Sequence, residues 1–291
     1  MALESLQQLL DILNLEQLDT TLFRGQNYIT PWKRVFGGQV LGQSLNAAYQ
    51  TVDDDRLAHS IHGYFILSGD VTKPIIYQVD ILRDGGSFST RRVTASQNGK
   101  AIFVMAASFQ LNQEGLEHQS EIPNVEGPKD LQTDIEQIEV IKEYSPRLYK
   151  KMMARAQGAI EFRPVEHIII PDPEVNNNIK NVWMKLTEQA PNKEMPKPLQ
   201  QQLLAYASDY DLLMTAINPH RGKFDPTKLF IASIDHAMWF HRDFDFNQWL
   251  LYSINSPSAS NSRGIGMGHI YNQNGDLVST VVQEGLIRIK Q

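Results

Sequence analysis

No cysteine occurs in the 291 residues, and that one absence removes disulfides, thiolate nucleophiles and cysteine-ligated metals together. No apolar run approaches the roughly 20 residues that span a bilayer, so membrane insertion is not expected. Positive charge is not in excess: the net charge is −6, whereas a nucleic-acid partner usually demands a basic surface. A local basic pocket for a phosphorylated cofactor stays open under that balance. GxxxxGK[ST] is missing, as is a GxGxxG between a strand and a helix, which removes the P-loop and dinucleotide readings. GxSxG, the strained elbow of many serine hydrolases, is also missing. The opening MALESLQQLLDILNLEQL is too acidic and too periodic for a signal peptide. The final RIKQ is no peroxisomal address of the SKL type, so a cytoplasmic protein is the default expectation.

What remains is ordinary for a soluble globular chain, with 42% hydrophobic and 21% charged residues and enough length for a large core. Leucines at 3, 6, 9, 10, 13 and 15 predict an amphipathic first helix. LFRGQNY (22–28) predicts a short strand, and FGGQVLGQSLNAAYQTV (36–52) a small-residue helix able to lie close against a sheet. Strand follows strand from 59 to 111, punctuated by DGG at 84–86 and NG at 98–99, a strong hairpin signal. From 112 to 160 charge rises, Pro123 and Pro128 intervene, and 132–157 reads as helix. EFRPVEHIII (161–170) and the strand NVWMKLTEQ (181–189) follow.

The first layout then returns. A helix is predicted over 198–217, followed by strands at 229–241, 247–256, 262–272 and 276–289. QNG recurs at 273–275 and Ser60-Ile61 is echoed by Ser233-Ile234, at spacings of 176 and 173. One helix followed by four strands, twice, suggests a duplicated unit of α+β type, each a curved sheet around a helix. The expected division is an N-terminal unit 1–111, a linker 112–160 and a C-terminal unit 161–291.

The two copies differ chemically. In the second helix Leu199, Leu203, Tyr206, Ala207, Tyr210, Met214 and Ile217 form a stripe with Asp209 on its flank, while the first helix has no carboxylate. In the last strand, alternation places Gln283 beside Leu277, Ser279, Val281 and Ile287, and aligning the QNG turns puts Ala107 opposite it in the first copy. A surface acid, a structural amide and a strand hydroxyl are the plain alternatives for Asp209, Gln283 and Ser233. In ASIDHAMWF (232–240), alternation puts Asp235 on the face of Ser233, and His236 with Phe230, Ile234, Met238 and Phe240 as a packed core histidine. His59 and His62 are expected on opposite faces, a poor metal pair.

FRGQ, RVFGGQVLGQSL, RDGGSFSTRRVTASQNGKAIFVMAASFQ, YASDYDLL, IDHAMWFHRDFDFNQWLLY and VVQEGLIR together resemble the acyl-CoA thioesterase II family, nearly end to end. The resemblance implies a double hotdog fold, hydrolysis of acyl-CoA without metal or organic cofactor, and a homo-oligomer. It also implies a catalytic group of Asp209 (the acid of YASD), Ser233 (the hydroxyl before IDH, Thr in some relatives) and Gln283 (the amide of QEG). A water that attacks the thioester carbonyl as Asp209 accepts its proton, aimed by Gln283 and Ser233, is the expected chemistry. Oxyanion donors are expected at a glycine-led helix start. Tyr64, Phe65 and Trp239 are candidate acyl-tunnel walls, and Arg83, Arg91 and Arg263 candidate CoA-phosphate contacts. A hotdog dehydratase or hydratase using His236 and Asp235, and a non-catalytic acyl-CoA binder, are the competing readings.

Overall fold

The computed structural model describes residues 5–30, 32–153, 158–167, 178–188 and 195–290. Leu3 and the expected element residues 154–157, 168–170 and 189 lie outside them. Helix α1 (Leu6–Leu13) is capped by Ser5, whose hydroxyl accepts the Gln8 N–H, and buries Leu6, Leu9 and Leu13 along one face. A hairpin of β1 (Glu16–Asp19) and β2 (Leu22–Gly25) follows. Every residue of β1 is exposed, so its sequence carried no alternation from which to foresee it. Next come α2 (Gly37–Tyr49) and four strands, β3 (Arg56–Phe65), β4 (Ile75–Asp84), β5 (Phe88–Gln97) and β6 (Lys100–Leu111).

The single helix expected over 132–157 is three short ones, α3 (Asp134–Glu139), α4 (Ile141–Tyr144) and α5 (Pro146–Met153). Ser145 leaves helical geometry at φ −152° because Pro146 follows it, and proline disfavours the α conformation in the residue before it. The second half runs β7 (Ile160–Pro164), β8 (Ile179–Leu186), α6 (Lys197–Ser208), β9 (Leu229–Ser233), β10 (Asp235–Phe240), β11 (Leu250–Ser260), β12 (Arg263–Asn272) and β13 (Leu277–Ile289).

All the strands join one antiparallel sheet in the order β1-β2-β4-β5-β6-β3-β10-β13-β12-β11-β8-β7, with β9 paired to β13 beyond the end of β10. The halves meet at β3 and β10, from Asp235 opposite Tyr64 to Trp239 opposite Ser60. Two strands that would otherwise be exposed edges are thereby paired to each other. The helices α2 and α6 pack side by side against the inner face of this sheet. Gly38 and Gly42 of α2 serve that contact: a Cβ on Gly38 would overlap the Tyr206 carbonyl oxygen, and one on Gly42 would stand 3.1 Å from that of Gln202. Asn46 Nδ2 donates to Gln202 Oε1 at 3.0 Å across the same seam.

Two sequence expectations fail here in ways that matter for the site. The helix expected over 198–217 stops at Ser208; Asp209 caps it, Asp211 takes φ 58°, and a tight turn of helix resumes only at Leu213–Ala216. Tyr210, Met214 and Ile217 therefore do not continue the α6 stripe. The strand expected over 229–241 is broken at Ile234. Ser233 pairs with Gly285 but Ala237 with Val282, a register slip of one residue and hence a bulge. Ile234 N–H donates to Glu284 O and Ile234 O accepts from Phe65 N–H, both at 2.9 Å, so the bulge is fully bonded.

Candidate active site

The bulge inverts the side-chain parity downstream of it. Ser233 and His236 both point inward, and Asp235 points outward, contrary to the alternation read from ASIDHAMWF. His236, Met238 and Phe240 are buried in succession, whereas Asp235 is half-buried. The Asp235 carboxylate accepts the Glu284 N–H at 2.7 Å and so fastens the bulge from outside; burial raises its pKa.

On the inner face, three side chains from three elements converge. Asp209 follows the last residue of α6, Gln283 lies in β13 and Ser233 ends β9. Gln283 Nε2 donates to Asp209 Oδ1 at 2.7 Å and to Ser233 Oγ at 3.0 Å. A carboxylate accepts only, so the amide orientation is fixed with nitrogen toward Asp209. Gln283 is 1% exposed, and a buried amide so held is a rigid spacer rather than a mobile surface group.

The other carboxylate oxygen is held by the first half of the chain. Asp209 Oδ2 accepts the Gly38 N–H at 2.9 Å, in the first turn of α2. That end of a helix carries partial positive charge from its unpaired N–H groups, which favours an anion. A glycine-led helix start is expected to serve the oxyanion; the Gly38 amide is instead bonded to the acid. A Cβ on Gly37 would stand 2.6 Å from Asp209 Oδ2 and 3.0 Å from the Phe65 ring, so glycine is what lets α2 reach the carboxylate. FGGQ marked this place in the sequence, but nothing local revealed that its partner lay 171 residues away.

Asp209 is positioned by the groups around the end of α6. Tyr252 Oη donates to the Ser208 carbonyl at 3.0 Å, satisfying a terminal acceptor of the helix. Ser208 Oγ donates to Ala205 O at 2.9 Å and lies 3.0 Å from His236 Nε2. With the serine proton so used, His236 carries its own proton on Nε2. Burial pushes the His236 pKa down to about 3, so it is a neutral scaffold group, as the core-histidine reading held.

The other expected contacts divide. Phe65 borders the carboxylate, but Tyr64 is 60% exposed and Trp239, pairing opposite Ser60, stacks edge-on with His62 at 5.0 Å on the outer face. Arg91 is buried and spends its donors on Thr51, the Arg83 carbonyl and Asp84, while Arg263 bonds Glu284 at 2.8 Å. Neither is poised for a phosphate. His59 and His62 are not on opposite faces: a bulge between Ala58 and Ser60 turns both outward, near enough for His62 to lower the His59 pKa further than burial alone. Among the described residues no three of His, Asp and Glu gather in a metal-binding group. A cleft of about 410 Å³, lined by Ala216, Pro219, His220 and Ser256, opens beside the segment after Asp209 rather than over the carboxylate.

A carboxylate, an amide and a hydroxyl in one hydrogen-bonded line, at the seam of two similar halves, can be compared with known proteins. The chain matches the family described as acyl-CoA thioesterase over residues 174–286, and the acyl-CoA thioesterase N-terminal domain over 28–110. It is 37% identical to acyl-CoA thioesterase 2 of Haemophilus influenzae, across 98% of this chain and 99% of that one. The chain belongs to the acyl-CoA thioesterase family. The crystal structure of an acyl-CoA thioesterase II from Mycobacterium marinum superposes with TM-score 0.79 at 39% identity, covering 97% of this chain and 98% of that one. A hot dog fold protein from Alicyclobacillus acidocaldarius superposes with TM-score 0.74 at 20% identity, over 97% and 98% of the two chains, which speaks to the fold alone. The α+β double hotdog architecture is thus shared with thioesterases and with more distant proteins. No helix is long and apolar enough to cross a membrane among the described residues.

Proposed function

We propose that this acyl-CoA thioesterase hydrolyses its substrate through a water molecule activated by Asp209 and aimed by Gln283 and Ser233. The supporting observation is the bridge made by Gln283 Nε2, 2.7 Å from Asp209 Oδ1 and 3.0 Å from Ser233 Oγ. The water oxygen attacks the thioester carbonyl carbon while its proton passes to Asp209, the general base. The tetrahedral oxyanion then collapses, the C–S bond breaks, and the CoA sulfur leaves with the proton returned by Asp209. The products are a carboxylic acid and CoA. Gln283 and Ser233 hold the water on its line of approach, so their part is positional. The Gly38 amide fixes the second carboxylate oxygen and with it the direction of the base.

A dehydratase reading needs a titrating histidine beside an acid. His236 is neutral and bonded to Ser208, and Asp235 faces the other side of the sheet. The decisive experiment is release of free thiol from decanoyl- or palmitoyl-CoA. Asp209→Asn is expected to lower kcat by about 100-fold or more with acyl-CoA binding retained; wild-type turnover in that variant would refute the assignment. Tight binding without thiol release by the wild type would favour a non-catalytic binder.

The same reading includes a cytoplasmic homo-oligomer. Exposed Tyr64, Ile66 and Leu67 at the end of β3, with exposures of 60%, 53% and 52%, form apolar surface suited to a second copy. Sedimentation of the wild type at micromolar concentration as a monomer alone would refute that part.

A further inference from the structure

Four cations gather where β9 and the end of β13 leave the catalytic seam. Arg34 lies 5.5 Å from the centre of the Phe230 ring and Lys290 5.6 Å from it, so one aromatic ring carries two positive groups. Arg288 pairs directly opposite Phe230, and Lys228 accepts the Lys290 N–H on its backbone carbonyl at 3.0 Å. All four cationic residues are exposed, and Phe230 is half-buried. None of them makes an ion pair with a carboxylate among the described residues.

Acidic residues outnumber Lys and Arg by 33 to 27, and other surface arginines, such as Arg24, Arg92 and Arg263, are neutralised by acids. Like charges packed round one ring repel each other, and an anion supplied from outside relieves that. The backbone bearing Arg34 is fixed as well. Thr30 Oγ1 donates to Arg34 O at 2.6 Å and accepts the Arg34 N–H at 3.2 Å, and Val35 N–H donates to Gly69 O at 3.0 Å.

Position links the cluster to the chemistry. Phe230 precedes Ser233 by three residues on β9, about 10 Å along an extended strand, so its ring and the cations about it stand on the outer face while Ser233 stands on the inner one. Arg34 lies four residues before Gly38, which holds Asp209. An extended pantetheine arm is long enough to cover that separation. We infer that Arg34 and Lys290, held about Phe230 and supported by Arg288 and Lys228, bind the phosphoryl groups of the CoA nucleotide while the thioester lies at Asp209. The inference rests on the proposed site for its geometry. It makes Arg34 and Lys290 determinants of specificity for CoA over shorter thiol carriers, in place of Arg91 and Arg263, which are already engaged by Asp84 and Glu284.

The test compares wild type with Arg34→Gln/Lys290→Gln on decanoyl-CoA and on decanoyl-N-acetylcysteamine, which has no phosphate. KM for decanoyl-CoA is expected to rise about tenfold or more with kcat unchanged, as loss of charge-assisted phosphate contacts would cause. Constants for the phosphate-free ester should not move. Calorimetric binding of desulfo-CoA should weaken about tenfold, and its salt dependence should fall. Unchanged KM and unchanged desulfo-CoA affinity would overturn the inference, and so would an equal loss on both esters. If the wild type cleaves neither ester, the hydrolytic reading fails while desulfo-CoA binding still decides the role of the cations.

Discussion

Ser233 contributes a hydroxyl and little else to the line it shares with Gln283, since the amide nitrogen reaches it at 3.0 Å from a separate strand. Removing that oxygen leaves the Asp209 carboxylate and the Gln283 amide in place. Ser233→Ala is therefore expected to lower kcat about tenfold with KM nearly unchanged, and Ser233→Thr to retain most activity; thiol-release kinetics checks both. His236 illustrates the reverse case, a chemically able residue confined to support. Its folded pKa of about 3 lies below the usual 6.5 because burial disfavours the imidazolium. The unfolded chain thus takes up a proton below 6.5 that the folded chain refuses. Its contribution to stability is complete above 6.5 and is lost as pH falls toward 3, at about 1.4 kcal/mol per pH unit. Urea unfolding below about pH 6 should include this slope, and His236→Gln should reduce it by about one proton.

The bulge at Ile234 has the largest consequence of any single feature of an element. It slips β10 by one residue against β13 relative to β9, which keeps Ser233 inward and sends Asp235 outward. Asp235 stabilises it by accepting the Glu284 N–H at 2.7 Å. Asp235→Ala is expected to cost about 1–3 kcal/mol in urea unfolding and to reduce turnover by misplacing Ser233, whereas Asp235→Asn keeps an acceptor and should cost less. Alternation along ASIDHAMWF could not reveal the bulge, because it arises from pairing with residues about 50 positions later. The end of α6 at Ser208 was hidden for a similar reason. The apolar spacing runs on through Tyr210 and Ile217, and only Asp211 at φ 58° breaks the helix.

For the whole molecule, the site depends on both halves lying in one body. The second half supplies the acid, hydroxyl and amide, and the first half supplies the Gly38 N–H that holds the acid. The two helices approach closely enough for this only because Gly38 has no side chain to meet the Tyr206 carbonyl. Gly38→Ala is expected to separate α2 from α6, lowering Tm by several degrees and kcat by at least about tenfold. Thermal unfolding and thiol release measure the two effects, and a variant with wild-type values for both would contradict the role given to this contact.

The amino-acid sequence by itself determined the duplication, the hairpin turns of both halves and the odd acid and amide of the second. These are written in local periodicity, turn residues and the difference between two copies of one pattern. It also placed His236 in the core, since its apolar neighbours on β10 are local to it. Tertiary structure alone decided which oxygen of Asp209 meets which donor, which way Asp235 and the paired histidines face, and where cations gather about Phe230. Each of those depends on strand register or on contacts across more than a hundred residues, and no short-range pattern encodes a partner that distant.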